Sequence, residues 1–313
     1  MSHDNNAITY HPIDDYVQSA NTLFHFMKKP EYLKAILLHS ALIPRYCIEN
    51  IDYLGVSIKT HTFNEIAVLQ KCFCDIPFHK LADTFPIQGT GMVYDSLNAD
   101  ERADLEKTNT HFAYYGEYAI AFSKHWGEQK KLQPIHYLNK GSDYTYGFSS
   151  LLKSTIEETD VSDSYAQDVI NRLAFIKPLR GIMKREYIRS DSTVTIVEVI
   201  KNFHDECEWR FVPCDEAISS LSTTSVIANP SIIALCDEIN KGIENDHNKG
   251  LWLQFSYDEI RYIIVPDNNA RIEIINAIND LPDSCFSVID NIPIQKLIMI
   301  SKILVLSEIR KDW

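Results

Sequence analysis

Short apolar runs that alternate along the chain between strand-like and helix-like spacing constrain the fold of this 313-residue sequence more than any other feature. Alternating β-branched and aromatic residues predict strands, whereas apolar residues three and four positions apart predict helices. The main predicted strands are Thr22–Met27, Ile66–Ile76, Tyr118–Ser123, Thr193–Ile200, Cys207–Val212 and Ile260–Val265. No repeat and no long linker divides the chain. We therefore expect one α+β domain over residues 1–313, with helical insertions near 80–110 and 140–176.

The composition excludes several classes of protein. Apolar residues make up 45% and aromatic residues 11% of the chain, which is enough to bury a core and argues against disorder. No apolar run approaches the ~18 to 20 residues that span a bilayer, and the start MSHDNNAITYHP lacks the pattern of a secretory signal. Seven scattered cysteines fit a reduced protein better than a disulfide scaffold. We expect a cytoplasmic protein that does not contact membranes.

The charge pattern leaves nucleic-acid binding open. Thirty Lys and Arg against 43 Asp and Glu give a net charge of −13, which counts against broad affinity for phosphate backbones. Residues 171–189 are the exception, because this segment contains six cations and a single acidic residue, Glu186. The six are Arg172, Lys177, Arg180, Lys184, Arg185 and Arg189. This stretch is either a solvated face or a contact surface for nucleic-acid phosphates, made by Arg172, Lys177, Arg180, Lys184 and Arg185.

Common catalytic and cofactor motifs are missing. The sequence has only ten glycines and no phosphate-binding loop, and Gly89-Thr90-Gly91 lacks the third glycine of a dinucleotide fingerprint. It has neither a nucleophile elbow nor an HExxH helix. Cys72 and Cys74, with His79 nearby, resemble half of a metal site, but they lie in an apolar run where cysteines usually pack in the core. We expect no metal.

The segment Asp205–Pro213, DECEWRFVP, has the strongest chemical pattern. On a strand, Glu206, Glu208 and Arg210 would share one face, and Cys207, Trp209 and Phe211 would point into the core. Two carboxylates at this spacing raise each other's pKa unless a cation lies between them, and Arg210 is a candidate for that cation. A strand with a charged, half-exposed outer face is the alternative interpretation.

Six runs in order resemble a known family. They are LFHF (Leu23–Phe26), IPRYC (Ile43–Cys47), KCFCDIPF (Lys71–Phe78), YGEYAIAFSKHWG (Tyr115–Gly127), IKPLRG (Ile176–Gly181) and DECEWRFVP (Asp205–Pro213). Together they are similar to the AbiGi-type abortive-infection family of bacterial phage-defence proteins, whose label is antitoxin. The similarity covers most of the chain and thins over residues 80–110 and 140–170. It implies a cognate toxin or antitoxin protein as a partner.

The same runs also resemble, more distantly, the DarT-like ADP-ribosyltransferases. That resemblance implies two small sheets that form a cleft for NAD, which is a substrate there. By position, His25 matches the residue that holds the adenosine side, Tyr115 or Tyr118 the nicotinamide aromatic, and Glu208 or Glu206 the ribose-binding glutamate. Arg45 is a candidate for the NAD phosphates. The cleft strands would add Phe26, Phe73, Cys74 and Asp75 as further cofactor-binding positions. Met27 departs from the Thr or Ser usual after the His-Phe pair.

These residue types suit cleavage of the nicotinamide–ribose bond. Its transition state places positive charge on the sugar, which a fixed carboxylate stabilises, and a second carboxylate could deprotonate the acceptor. The main hypothesis is an NAD-dependent ADP-ribosyltransferase toxin of a phage-defence system, acting on RNA, DNA or another macromolecule, with Glu208 and Glu206 catalytic. One alternative is a non-catalytic antitoxin or sensor that binds a partner toxin. Another is an NAD glycohydrolase without a macromolecular acceptor.

Overall fold

The computed structural model describes residues 20–58, 61–157, 163–218, 223–286 and 291–312. The strands are β1 Thr22–Met27, β2 Ala41–Leu42, β3 Arg45–Asn50, β4 Ser57–Ile58, β5 His61–Thr62, β6 Glu65–Cys74, β7 Gln88–Thr90, β8 Tyr118–Ser123, β9 Gln133–Pro134, β10 His136–Leu138, β11 Ile176–Pro178, β12 Arg180–Ile188, β13 Val194–Asn202, β14 Glu208–Phe211, β15 Val226–Ile227, β16 Leu253–Gln254, β17 Ile260–Val265 and β18 Ile303–Val305.

The helices are α1 Pro30–His39, α2 Gly91–Asp95, α3 Ala99–Lys107, α4 Phe112–Tyr115, α5 Lys124–Gln129, α6 Asp143–Glu157, α7 Asp163–Asn171, α8 Asp215–Ile218, α9 Pro230–Ile233, α10 Cys236–Ile243, α11 Asn268–Asn279, α12 Ile292–Ser301 and α13 Leu306–Asp312. Local signals explain several of their ends. Pro30 occupies the first turn of α1, where its missing N–H costs nothing. Asn98 and Glu101 form a reciprocal capping box at the start of α3.

The largest sheet has nine strands, in the order β18-β17-β8-β1-β6-β14-β9, with β3 and β15 also paired to β6. The ten-residue strand β6 organises it, because its first half pairs with β3 and β15 and its last residues pair with β14. Strand β1 pairs with β6 at Phe24 and Cys74, and β14 pairs with the same position through Glu208. The opening strand and the late glutamate strand therefore flank β6.

A second sheet has three strands in the order β12-β13-β7. Nine consecutive residue pairs join β12 and β13, from Arg180 with Asn202 to Ile188 with Val194. Its inner face, including Tyr187, Val197 and Val199, packs against Leu105 of α3. The two sheets enclose the cavity described below.

The largest apolar core lies where α1, α11 and α12 pack against the nine-stranded sheet. It contains Leu23, Ile120, Ile263, Ile274 and Met299, all of them buried. Burial of such side chains contributes roughly 1.5 to 3 kcal/mol each, so this core fixes the central strands β1, β8 and β17.

The structure agrees with some predicted elements and corrects others. Strands Thr22–Met27, Tyr118–Ser123 and Ile260–Val265 have the predicted bounds, and helices occur within both predicted insertions. The predicted strand Cys207–Val212 begins one residue later, at Glu208. Within the predicted helical insertion near 140–176, the last α-helix, α7, ends at Asn171. The molecule combines helices with several sheets, and the ADP-ribosyltransferase-like pair of sheets stays a prediction.

Candidate functional site

A cavity of about 680 Å³ lies between the nine-stranded sheet and β12. Strands β1, β3, β6 and β14 line one side, and the segment around Lys177–Met183 lines the other. Eight residues predicted to bind or react are in its wall: His25, Phe26, Cys74, Tyr115, Lys177, Arg180, Glu206 and Glu208. The imidazole of the opening strand and the late carboxylates thus face one space, of a volume typical of small-molecule sites.

The two glutamates reach this space by a route that strand alternation did not predict. Glu206 ends a 3-10 turn, Phe203–Glu206, and Cys207 adopts a left-handed conformation with φ of 42° before β14 begins at Glu208. The expectation that Cys207 points into the core is wrong, because this kink leaves it exposed. Glu206 and Glu208 converge all the same, since both bind Lys177.

Three cations compensate the carboxylates below the cavity. Glu208 accepts from Arg210 Nε at 2.6 Å and lies 3.0 Å from Lys177 Nζ. Arg210 is fully buried, and its Nη2 lies 2.9 Å from Glu49 Oε1. Glu206 lies 3.4 Å from Lys177 and also pairs with Lys201. Three carboxylates are therefore paired with three cations. The alternative interpretation, a strand with a half-exposed charged side, is wrong, because Glu206 and Glu208 are only 2% and 4% exposed.

The network keeps both glutamates ionised. Burial alone would raise the pKa of Glu208, but Arg210 and Lys177 outweigh burial and hold that pKa below its ordinary value. Burial is likewise outweighed at Glu206, where Lys177 and Lys201 lower the pKa. Burial would lower the pKa of Lys177, and the two glutamates raise it instead. The negative charge of each carboxylate is thus already matched at neutral pH.

His25 is held as a neutral imidazole. Its Nδ1 lies 2.8 Å from the carbonyl oxygen of Cys72, and because a carbonyl only accepts, Nδ1 carries the proton and Nε2 is the acceptor. Burial, reinforced by the charge of Lys71, moves the pKa of His25 well below its usual value. The ring packs 5.8 Å from Phe73. His25 can accept a hydrogen bond but carries no charge for a phosphate.

Tyr115 links the cavity wall to the ion pairs. Its hydroxyl donates to Glu206, and burial followed by the charge of Glu206 raises its pKa well above normal.

His111, which sequence reasoning missed, packs 4.6 Å from Tyr115 and 4.7 Å from Phe26. Lys201 was missed as well. Its position in phase with Val197 and Val199 on β13 could have indicated a buried lysine.

Seven predicted site residues lie outside this cavity, and two of them, Lys184 and Arg185, belong to β12. Arg45 is exposed and pairs with Glu244. Phe73 is in the core against Phe122 and Trp126. Asp75 pairs with the buried Lys124, and Tyr118 packs against the largest core. Arg172, also predicted, is exposed and does not line the cavity.

The basic stretch does not form one strip, because alternation along β12 divides it. Lys184 is exposed on the outer face, whereas Arg185 points inward and donates to Leu105 O at 3.0 Å and Thr108 Oγ1 at 2.6 Å. Lys177 is bound in the ion-pair network, and Arg180 stands at the cavity wall. Of the cations proposed for nucleic acid, two are therefore committed to internal contacts.

The described part of the chain has neither a cluster of metal ligands nor a membrane-spanning helix. Within the described ranges, no group of three or more His, Cys, Asp or Glu could hold a metal ion. The described helices include none that is long and apolar enough to cross a membrane.

The fold and the cavity define a mixed α and β protein with a compensated buried charge network beneath a ligand-sized space. Residues 102–266 match the family model described as "abortive phage resistance protein AbiGi, antitoxin". The chain is 33% identical over 282 residues to the "Abortive phage resistance protein AbiGi" of Lactococcus lactis subsp. cremoris, covering 87% of this chain and all of that protein. No solved structure matches. The chain belongs to the AbiGi family of abortive phage resistance proteins, which confirms the resemblance of its six runs.

Proposed function

We propose that this protein acts in phage defence as a non-catalytic antitoxin that binds a partner toxin. The observation that carries the proposal is the pairing of Glu206 and Glu208 with Lys177, Lys201 and Arg210. Arg210 and Lys177 would repel a positively charged sugar beside Glu208 about as strongly as the carboxylate would attract it. Because catalysis requires a field that favours the transition state, a charge-balanced site is a poor stabiliser of that cation.

The family supports this proposal. The matching family model is described as an antitoxin, and the similar Lactococcus protein is named for abortive phage resistance. An antitoxin needs a stable surface and no reacting group. The buried network serves that need, since paired charges fix the strands they join.

The test is genetic and uses the full chain. The chain, its neighbouring gene and the pair together are expressed in a bacterial host, and growth and phage plating are measured. We expect the chain alone to be harmless and to relieve growth arrest caused by the neighbour. Glu206→Gln and Glu208→Gln should still relieve it wherever they fold, as should the exposed control Glu186→Gln.

The opposite pattern would contradict the proposal. Growth arrest caused by this chain alone, and relieved by Glu208→Gln but not by Glu186→Gln, would identify the chain as an enzymatic toxin. Immunoblots showing equal amounts of each folded variant separate loss of activity from loss of protein.

An NAD-dependent ADP-ribosyltransferase is the second candidate, favoured by one specific observation. His25, Phe26, Tyr115 and Glu208 line a single cavity, and its volume suits a cofactor-sized ligand. Arg180 and Lys140 in the wall could contact a diphosphate, whereas Arg45 lies elsewhere. Bound NAD would supply the scissile nicotinamide–ribose bond, and Lys177 would have to release Glu208 for that carboxylate to act.

Labelled NAD separates the remaining alternatives. Purified protein is incubated with it and with a bacterial lysate, and the products are digested separately with nuclease and protease. Label that nuclease or protease releases supports a transferase acting on nucleic acid or protein, respectively. Nicotinamide release without labelled macromolecule supports an NAD glycohydrolase.

A further inference from the structure

A second cavity, of about 600 Å³, adjoins the first. Arg180 and Glu206 line both. The walls that belong to the second cavity alone combine apolar and aromatic side chains, including Phe85, Pro86 and Tyr114, with the buried His111. Neither the ion-pair network nor the proposed binding of a partner toxin assigns a ligand to this cavity.

His111 is an incomplete hydrogen-bonding group in this wall. The residue is 5% exposed, and its Nε2 is buried without a hydrogen-bond partner among the described residues. Burial first, and then the charge of Lys201, lowers the pKa of His111 to about 3, so the ring is neutral. Its Nε2 can therefore donate or accept one hydrogen bond, depending on the tautomer. An orphaned buried nitrogen costs free energy that a ligand atom would recover.

Arg180 is the available cation of this cavity. It is exposed, and within the described ranges it makes no ion pair, whereas Lys201 is paired with Glu206 and Lys80 with Asp83. A planar guanidinium can donate two parallel hydrogen bonds to a phosphate. The opposing acid is Asp205, whose carboxylate accepts from the neutral amide of Asn202 at 2.7 Å and makes no ion pair with any described residue.

We propose that the second cavity binds a nucleoside monophosphate, with its base between the aromatic wall and His111 and its phosphate at Arg180. Aromatic and proline side chains pack against the flat face of a base, and the His111 nitrogen meets its polar edge. Arg180 stands where the two cavities meet, so the phosphate points toward the first cavity. This proposal does not rest on the antitoxin function. The AMP-binding experiment and the toxin-relief experiment therefore have independent outcomes.

Isothermal titration of the full chain with AMP, adenosine and inorganic phosphate tests it. We expect saturable AMP binding, tighter than binding of either fragment. Arg180→Ala should weaken AMP at least about tenfold, because it removes a charge-assisted contact. The matched control, Lys184→Ala, removes an exposed cation of the same strand that lines neither cavity and should change affinity less than about twofold.

Three further variants place the ligand within the cavity. Asp205→Asn should strengthen AMP binding severalfold, because it removes the opposing charge. His111→Phe should weaken AMP and adenosine but not inorganic phosphate. Tyr53→Phe is its control, because the buried Tyr53 hydroxyl also lacks a partner among the described residues but Tyr53 lines the first cavity and not the second. This variant should have no effect on AMP binding.

No saturable AMP binding up to about 5 mM would overturn the proposal. Equal affinities of Arg180→Ala and Lys184→Ala would do so too, as would loss of AMP binding in Tyr53→Phe rather than His111→Phe. Arg180 and Asp205 are exposed, so their variants decide the matter even if His111→Phe fails to fold.

Discussion

Arg210 Nε donates to Glu208 Oε1 at 2.6 Å, and neither residue has appreciable contact with solvent. The two lie on one face of β14, as the alternation of that strand requires. Arg210 also donates hydrogen bonds to Glu49 on β3 and, at 2.8 Å, to the carbonyl oxygen of Ala174. This pair therefore ties three separate parts of the chain together beneath the cavity.

Removing the charge of Glu208 should destabilise the protein strongly. Glu208→Gln leaves Arg210 and Lys177 with less negative charge than they need, and an uncompensated buried charge costs about 3 to 5 kcal/mol. Urea unfolding followed by circular dichroism measures the loss. The control Glu186→Gln removes a carboxylate that is 62% exposed and pairs with the exposed Lys28, and should cost less than about 1 kcal/mol. Equal unfolding midpoints for the two variants would refute the network's structural role.

Stability should fall as the pH drops below about 6.5. Burial depresses the folded pKa values of His25 and His111, that of His111 to about 3, while the unfolded chain protonates both near 6.5. The unfolded state then binds more protons, so each histidine removes up to ~1.4 kcal/mol per pH unit within that window. Below the ordinary pKa of glutamate, Glu206 and Glu208 add losses of the same sign.

Urea midpoints from pH 7.5 to pH 4 check this dependence. His111→Phe removes one titrating group and should flatten the profile between pH 6.5 and pH 4. A variant profile parallel to that of the unmodified chain would show that His111 is protonated as easily when folded as when unfolded.

Gly116 should tolerate no side chain. It has φ of 98°, and a Cβ there would lie 2.2 Å from the carbonyl oxygen of Met27. Gly116→Ala must displace β1 or the Tyr115 segment, and we expect a loss of at least about 2 kcal/mol. The matched control is Gly242→Ala in α10, where nothing lies within 4 Å and the change should stabilise the helix by about 0.5 kcal/mol. Thermal unfolding of both variants decides, and a stable Gly116→Ala would contradict the close approach.

The sequence predicts those parts of the fold that local pattern determines. The bounds of β1, β8 and β17 follow from compact apolar runs, and α3 from its Asn98 cap and acidic first turn. The strand β12 was missed because its exposed face mixes charged and apolar side chains. Antiparallel pairing with the next strand, β13, makes that stretch a strand.

The site was predictable in part. Resemblance to known families selected His25, Tyr115, Glu206 and Glu208, which the structure brings to one cavity. Their neutralisation was not predictable. Lys177 comes from β11, whose approach depends on long-range packing, and Lys201 meets Glu206 only because of the 3-10 turn Phe203–Glu206. Spacing alone offered Arg210 as the cation, and the structure places it on Glu208.

The rate of nicotinamide release from NAD by the purified full chain tests the central claim most directly. Because cations match the carboxylates of the cavity, we expect release at the background rate, unchanged in His25→Ala and Glu208→Gln. Release well above background, lost in both folded variants but kept in Glu186→Gln, would contradict a binding role and establish catalysis.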